Sequence, residues 1–304
     1  MAPMTAAESC AQAAQVLPLR LREEALSLPE EDKCRAEEFR LRAGWPMTVV
    51  IGGEERPLSG VPVRGEELGQ LVEIASRASL HTVLDQICRG YLTAQGGHRI
   101  GLCGAAVMRG GEIHGFRDIS SANLRIARQV KGAAAPVLDG LCPGGRLTDA
   151  LILAPPGLGK TTLLRDLIRS VSEGEGCAPL RVSLADERGE VAAMYNGLPQ
   201  LEVGRRTDVA EGCPKAQGLM LLLRAMNPQV LAVDEITAPE DVRALTAAAG
   251  CGVTLLATAH GESRADLERR PLYRPLLEEG LFRYLVRICR RGAERSYQIE
   301  ELRG

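Results

Sequence analysis

Aromatic residues make up only 3% of this 304-residue sequence, and Trp45 is its single tryptophan. A chain so poor in rings builds an aliphatic core and offers few platforms for stacking bases, which argues against single-strand nucleic acid as its ligand. It also lacks a dominant charge. Its 37 Lys and Arg stand against 39 Asp and Glu, a formal net charge of −2, so no global field draws it to nucleic acid or acidic membranes. No uninterrupted apolar run approaches the ~18 residues of a bilayer span. Nor does the stretch from Met1 to Glu8 place a basic segment ahead of an apolar one, so no signal peptide is evident. A cytoplasmic protein, peripheral to a membrane at most, is the expectation. The nine cysteines include no C-x-x-C pair and no Cys/His spacing suited to zinc, and dispersed thiols fit a reducing compartment.

What is present is an ordinary globular composition, 45% hydrophobic and 25% charged, long enough for two domains. Residues 1–35 read as an N-terminal segment, helical or partly disordered. Residues 36–135 read as a smaller α+β domain. Within it, Glu38 to Arg42 alternates like a half-buried strand, and Thr48 to Ile51 is a strand entering a turn at Gly52-Gly53. Leu68, Leu71, Val72 and Ala75 share one helical face, and Val83, Leu84, Ile87 and Tyr91 share the next. Gly96 to Gly104 is a glycine-punctuated strand region, and Asn123 to Arg128 alternates again. His81, His98 and His114 carry no catalytic context and are assigned surface or structural places. The composition shifts between about 130 and 147, where the domain boundary is placed.

From 147 to 304, apolar strands alternate with helices. The strands are Leu151–Leu153, Arg181–Leu184, Val230–Val233 and Val253–Ala257. The helices are Thr161–Val171, Lys215–Met226 and Pro239–Ala249, and Leu285–Ile288 with Ser296–Ile299 forms a closing hairpin. Such alternation implies parallel βαβ units, an α/β doubly wound sheet. Arginines recur from Arg264 to Arg295, including Arg287, Arg290 and Arg291. They read either as a solvated face interleaved with Glu268, Glu278 and Glu279 or as a contact surface for a partner or lipid headgroups.

The strongest chemical signal is Ala154-Pro155-Pro156-Gly157-Leu158-Gly159-Lys160-Thr161, which matches the Walker A phosphate loop with Ala in place of its first Gly. Gly157 and Gly159 let backbone amides curl around a β-phosphate without side-chain obstruction. Lys160 reaches the β- and γ-phosphates of ATP, and the Thr161 hydroxyl ligates Mg2+. The following helix, continuing through Thr162, points its positive end at the anion. Residues Ala154 through Thr162 are thus the nucleotide-binding candidates.

Other acids and bases fit around that loop. Val230-Leu-Ala-Val233 ends in Asp234-Glu235. Asp234 would hold Mg2+ through a water, and Glu235 would polarise the attacking water. Asp186 and Glu187 end a second strand, at the edge where ligands gather in open sheets. They either face the nucleotide or cap and pair locally, and Glu187 is the alternative base. His260, ending the strand after Asp234-Glu235, is the candidate γ-phosphate sensor. An arginine at the γ-phosphate accelerates phosphoryl transfer roughly 10³–10⁵-fold. Arg205, Arg206 and Arg224 are candidates, supplied by a neighbouring subunit, unless Arg205-Arg206 binds Asp208 locally.

These strings, with Asp186-Glu187-Arg188, Arg206-Thr-Asp-Val, Gly212-Cys-Pro-Lys-Ala216, Thr258-Ala-His260-Gly, Phe39-Arg-Leu-Arg42 and Gly96-Gly-His-Arg99, resemble the stage III sporulation protein AA family. That family is similar to the ATPases of type II and type IV secretion and of pilus machines. The resemblance implies a RecA-like P-loop NTPase core, a hexameric homo-oligomer and an N-terminal domain moving against the core. It further implies membrane proteins of a sporulation channel complex as partners, at the mother-cell side of the forespore membrane; near-neutral charge, few aromatics and no recognisable binding module argue against nucleic acid. Two rivals remain from the residues themselves. One is a nucleic-acid-dependent ATPase using Arg20, Arg22, Arg40, Arg42 and Arg99; the other is a nucleotide switch that does not hydrolyse.

Overall fold

The structure is a computed structural model describing residues 4–76, 84, 86–291 and 294–302. It divides into two units: Met1–Gln129 with Ala193–Leu201, and Val130–Ala192 with Glu202–Gly304.

In the first unit, Thr5 opens helix α1 (Ala6–Ala14) with a capping box. Its hydroxyl accepts from the Glu8 N–H at 3.2 Å, and Glu8 Oε2 accepts from the Thr5 N–H at 2.7 Å. Pro18 and Pro29 stand immediately ahead of α2 (Leu19–Leu26) and α3 (Glu30–Arg35), where a fixed φ suits the entry to a helix. The first 35 residues are thus helical wherever regular, and Cys10, Ala13, Leu17 and Leu21 join the apolar core. Strands β1 (Ala36–Arg42), β2 (Pro46–Ile51) and β3 (Glu54–Pro62) follow, then α4 (Gly65–Ser76), β4 (Tyr91–Thr93), β5 (Arg99–Arg109) and β6 (Glu112–Arg125). They form a six-stranded antiparallel sheet in the order β3-β2-β1-β6-β5-β4. Alternation puts Phe39, Leu41, Met47, Val49, Ile100 and Leu124 on the core face, against the Leu68/Leu71 face of α4.

Two sequence expectations change here. Tyr91 is not on a helical face: Gly90, at φ 81°, reverses the chain, and Tyr91 begins β4 opposite Gly101. Of its expected companions, Leu84 is exposed, Ile87 packs against the core, and Val83 lies outside the described residues, as does His81. The second change concerns Ala193–Leu201, expected in the C-terminal domain. It carries the short hairpin β9 (Met194–Tyr195) and β10 (Leu198–Pro199) and belongs to the first unit. Gln200 Oε1 accepts the Gly96 N–H at 2.8 Å, and Gly97, at φ 78°, leaves just enough room for the side chains of Ala193 and Gln200.

His98 is wholly buried in this unit. Its Nδ1 accepts from the Ala127 N–H at 3.0 Å, so Nε2 carries the proton toward Gln12 Oε1 at 3.2 Å. Burial pushes its pKa down to about 4. The arginines that a nucleic-acid reading would use are engaged elsewhere: Arg20 with Glu24 and Glu67, Arg40 with Glu38, and Arg42 with Glu55. Arg22 donates to the carbonyls of Gln15 and Leu17, and Arg99 lies 4.2 Å over the Tyr91 ring.

The second unit opens with α5 (Ala135–Leu141) and builds a seven-stranded sheet. Its strands are β7 (Ala150–Ala154), β8 (Val182–Asp186), β11 (Thr207–Glu211), β12 (Val230–Val233), β13 (Thr254–His260), β14 (Tyr284–Arg291) and β15 (Glu294–Glu301). The order is β11-β8-β12-β13-β7-β14-β15, parallel except for the closing β14–β15 hairpin. Helices α6 (Lys160–Glu173), α7 (Lys215–Ala225) and α8 (Pro239–Ala249) make the crossovers, and α9 (Arg264–Arg269) and α10 (Arg274–Glu278) follow β13. Every residue of β7, β8 and β12 is buried, as continuous apolar runs in a two-sided sheet require. Edge strand β11 is absent from the sequence reading because its five residues, TDVAE, are only half-buried and carry little apolar signal.

Candidate nucleotide site

Strand β7 ends at Ala154, and the chain turns through 155–159 into α6. Gly157 (φ 78°) and Gly159 (φ 96°) hold left-handed backbone that a side chain would strain, and among the described residues none but the chain neighbours of Gly157 comes within 4 Å of the space its Cβ would take. The amino end of α6 has Gly159 at its cap, no capping side chain and no acid in its first turn. Its amides are therefore open to an anion.

The Lys160 ammonium sits behind this loop, buried, and spends its three protons on Ala154 O (2.9 Å), Pro155 O (3.1 Å) and His260 Nδ1 (2.8 Å). An ammonium only donates, so Nδ1 of His260 accepts and the ring proton lies on Nε2. That nitrogen stands 3.0 Å from Glu235 Oε1. Lysine, histidine and glutamate thus form one continuous chain. Burial pulls the Lys160 pKa down, with Glu235 and Asp234 pulling it back.

Thr161 and Asp234 meet on the other side of the loop. The Thr161 hydroxyl donates to Asp234 Oδ2 at 2.8 Å, and the Thr258 hydroxyl donates to Oδ1 at 2.8 Å. Thr258 also accepts the Glu235 N–H at 2.8 Å, so one hydroxyl fixes both acids. It does so because β13 lies between β7 and β12, and because Thr258 and His260, two residues apart on a strand, share a face. Burial pushes the Asp234 pKa up against the two threonine hydrogen bonds. A divalent cation would restore charge balance there, and threonine with carboxylate is a hard-oxygen pair suited to Mg2+. Glu235 takes left-handed backbone (φ 52°), which costs a non-glycine residue about 1–3 kcal/mol. The Glu235–Thr258 bond and the Ile236 N–H to Thr258 O bond at 2.9 Å hold it there.

The second acidic strand divides its roles. Asp186 is buried and accepts the amides of Glu190 (3.0 Å), Val191 (3.0 Å) and Ala192 (2.8 Å), so it closes a turn. Burial pushes its pKa up to about 6. Arg165, buried on α6, clamps the same turn by donating to Val191 O at 2.6 Å and Glu190 O at 2.7 Å. Glu187 lines a small cleft with Asp234 and Glu235, and it pairs at 3.2 Å with Lys215, which also donates to the Thr237 hydroxyl at 2.8 Å.

The structure does not bring the candidate arginines to these groups within the chain. Arg206 precedes β11 at the opposite, amino-terminal edge of the sheet, with its N–H and guanidinium on Ser172. Arg205 pairs with Glu173 rather than Asp208. Arg224 is exposed beside a groove of about 730 Å³ at that far edge, with Arg146, Leu180 and Arg181. Thr258, Lys215 and Arg165 went unassigned in the sequence. A polar residue two positions ahead of His260 was the available signal for the first, and the Lys in Gly212-Cys-Pro-Lys-Ala216 for the second.

A parallel sheet of this order, with a phosphate-loop motif at the end of β7 and acids at the ends of β8 and β12, defines a RecA-like P-loop fold. Solved structures share the fold. The ATPase DotB of Yersinia pseudotuberculosis superposes with a TM-score of 0.57 at 15% identity over 88% of this chain and 76% of its own. The pilus retraction motor PilT with bound ADP gives 0.58 at 17% identity over 88% and 79%. The chain belongs to the family described as Sporulation stage III, protein AA, which it matches over residues 8–302. It is 40% identical over 293 residues to stage III sporulation protein AA of Bacillus subtilis (strain 168), covering 96% of this chain and 95% of that one.

Proposed function

We propose that this chain is a Mg2+-dependent ATPase motor of the secretion type that works, as a ring of identical subunits, on a membrane-embedded channel complex of sporulation. The observation that carries the chemistry is the unbroken contact from the Lys160 ammonium through His260 to Glu235, beside the Thr161–Asp234 pair. Lys160 and the first amides of α6 would hold the β- and γ-phosphates. Thr161 and, through water, Asp234 would hold Mg2+, which when bound neutralises charge on those phosphates. Glu235 orients a water for in-line attack. The water oxygen bonds to the γ-phosphorus, the bridging oxygen leaves with ADP, and the water proton passes toward Glu235. His260, in contact with both Lys160 and Glu235, would register loss of the γ-phosphate. Glu187 is the weaker base because its carboxylate is paired with Lys215.

The hexameric ring, the channel partner and a place at the mother-cell side of the forespore membrane rest on the family. No helix among the described residues is long and apolar enough to cross a membrane. An arginine acting in trans, Arg206 or Arg224, requires such a ring. Internal pairing of Arg20, Arg40 and Arg42 speaks against a nucleic-acid-dependent enzyme.

Phosphate release by the wild type, Lys160→Ala, Glu235→Gln and Glu187→Gln tests the assignment. Lys160→Ala is expected to lose ATP binding. Glu235→Gln should bind ATP and turn over at least a hundredfold more slowly, and Glu187→Gln should stay within a few-fold of wild type. Equal release by all four proteins would remove hydrolysis from this site.

A further inference from the structure

The closing hairpin does more than end the sheet. Strand β14 pairs with β7 only from Tyr284, opposite Ala150, to Arg287, opposite Leu153. It then continues to Arg291, while β7 stops at Ala154 and turns into the phosphate loop. The far half of the β14–β15 hairpin therefore projects past the carboxyl edge of the sheet, alongside the loop.

One side chain of that projection faces the cradle. The guanidinium of Arg295, on β15, lies against Gly159, the cap of α6. Its nitrogens and carbon come within 3.3 to 3.7 Å of where a Gly159 Cβ would stand. Glycine at this position, at φ 96°, leaves room for the arginine as well as for the turn. Arg295 is exposed.

We propose that Arg295 contacts the phosphates of the bound nucleotide from within the same chain, a second cation across the loop from Lys160. The proposal rests on the nucleotide reading above. A guanidinium binds phosphate oxygens through a planar pair of N–H donors, whereas the buried Lys160 acts as a point charge. Arg295 thus adds affinity from the solvent side of the loop without replacing Lys160.

Titration of the full-length chain with a fluorescent ATP analogue, mant-ATP, and Mg2+ at several salt concentrations tests this. Wild type, Lys160→Ala, Arg295→Ala and Arg295→Lys are compared, with Arg295→Gln standing in if the alanine variant does not fold. Arg295→Ala is expected to bind mant-ATP about tenfold more weakly, with a shallower dependence on salt, and Arg295→Lys to fall between it and wild type. Wild-type affinity in Arg295→Ala would overturn the proposal while Lys160→Ala, failing to bind, leaves the nucleotide site in place. Weaker binding with an unchanged salt dependence would make Arg295 a support of the hairpin and would also overturn it. Absence of saturable binding by the wild type would remove the nucleotide site and the proposal together.

Discussion

Replacing Thr258 by Val tests the geometry most sharply, because valine keeps the volume and removes only the hydroxyl. In the wild type that oxygen donates to Asp234 Oδ1 and accepts from the Glu235 N–H, each at 2.8 Å, at a position with no exposed surface. The substitution leaves a buried amide without an acceptor, at about 1–3 kcal/mol, and deletes a hydrogen bond to a charged group worth about 1.5–3 kcal/mol. Partial relaxation and water entry reduce the sum, so a stability loss of about 2–4 kcal/mol is expected in urea titration. The catalytic loss should be larger than stability alone explains. Glu235 is held in left-handed backbone by this contact, and displacing a catalytic group by about 1 Å costs on the order of a hundredfold in rate. Phosphate release measured against Mg2+ concentration should show a lower maximum and a higher Mg2+ requirement, since Asp234 loses one of its two threonine partners. Thr258→Ser keeps the hydroxyl and should restore most of both. A Thr258→Val protein with wild-type turnover and Mg2+ dependence would refute the claim that this hydroxyl positions the acid pair.

Two further predictions concern the histidines. His260→Gln is expected to keep ATP affinity within a few-fold and slow turnover by about 10–100-fold, measured by nucleotide titration and phosphate release, because the Lys160–Glu235 connection is lost while the phosphate loop stays. His98, with a pKa near 4 when folded against an ordinary value of 6.5, binds its proton more readily in the unfolded chain. Its contribution is therefore present above pH 6.5 and lost as the pH falls toward 4, up to about 3 kcal/mol. The stability difference between wild type and His98→Gln in urea should shrink across that window, and a pH-independent difference would contradict it.

The strands around the site were legible because β7, β8, β12 and β13 are nearly continuous apolar runs bounded by turn residues or charge. The phosphate loop was legible because glycine and lysine spacing there is a local matter. Thr258, Lys215 and Arg295 were not, because each acquires its role from the register between segments far apart in sequence. Thr258 becomes a partner of Asp234 only once β13 pairs with β12, and Arg295 reaches Gly159 only once β14 runs beside β7. Asp186 and Asp234 look alike as acids at strand ends. What separates them is the three amides that turn back onto Asp186, and nothing in Asp186-Glu187-Arg188-Gly189 announces that turn. The hairpin at 193–201 was missed for a different reason: too short for periodicity, it owes its place to the glycines of the 96–97 turn.

The turn over Asp186 also has a mechanical meaning. Its last amide belongs to Ala192, and the next residue, Ala193, already belongs to the N-terminal unit's hairpin. Arg165 tethers the two preceding carbonyls to the helix that begins at the phosphate loop. The chain therefore enters that hairpin from a turn made fast at both its amides and its carbonyls, as a rope is on its cleat.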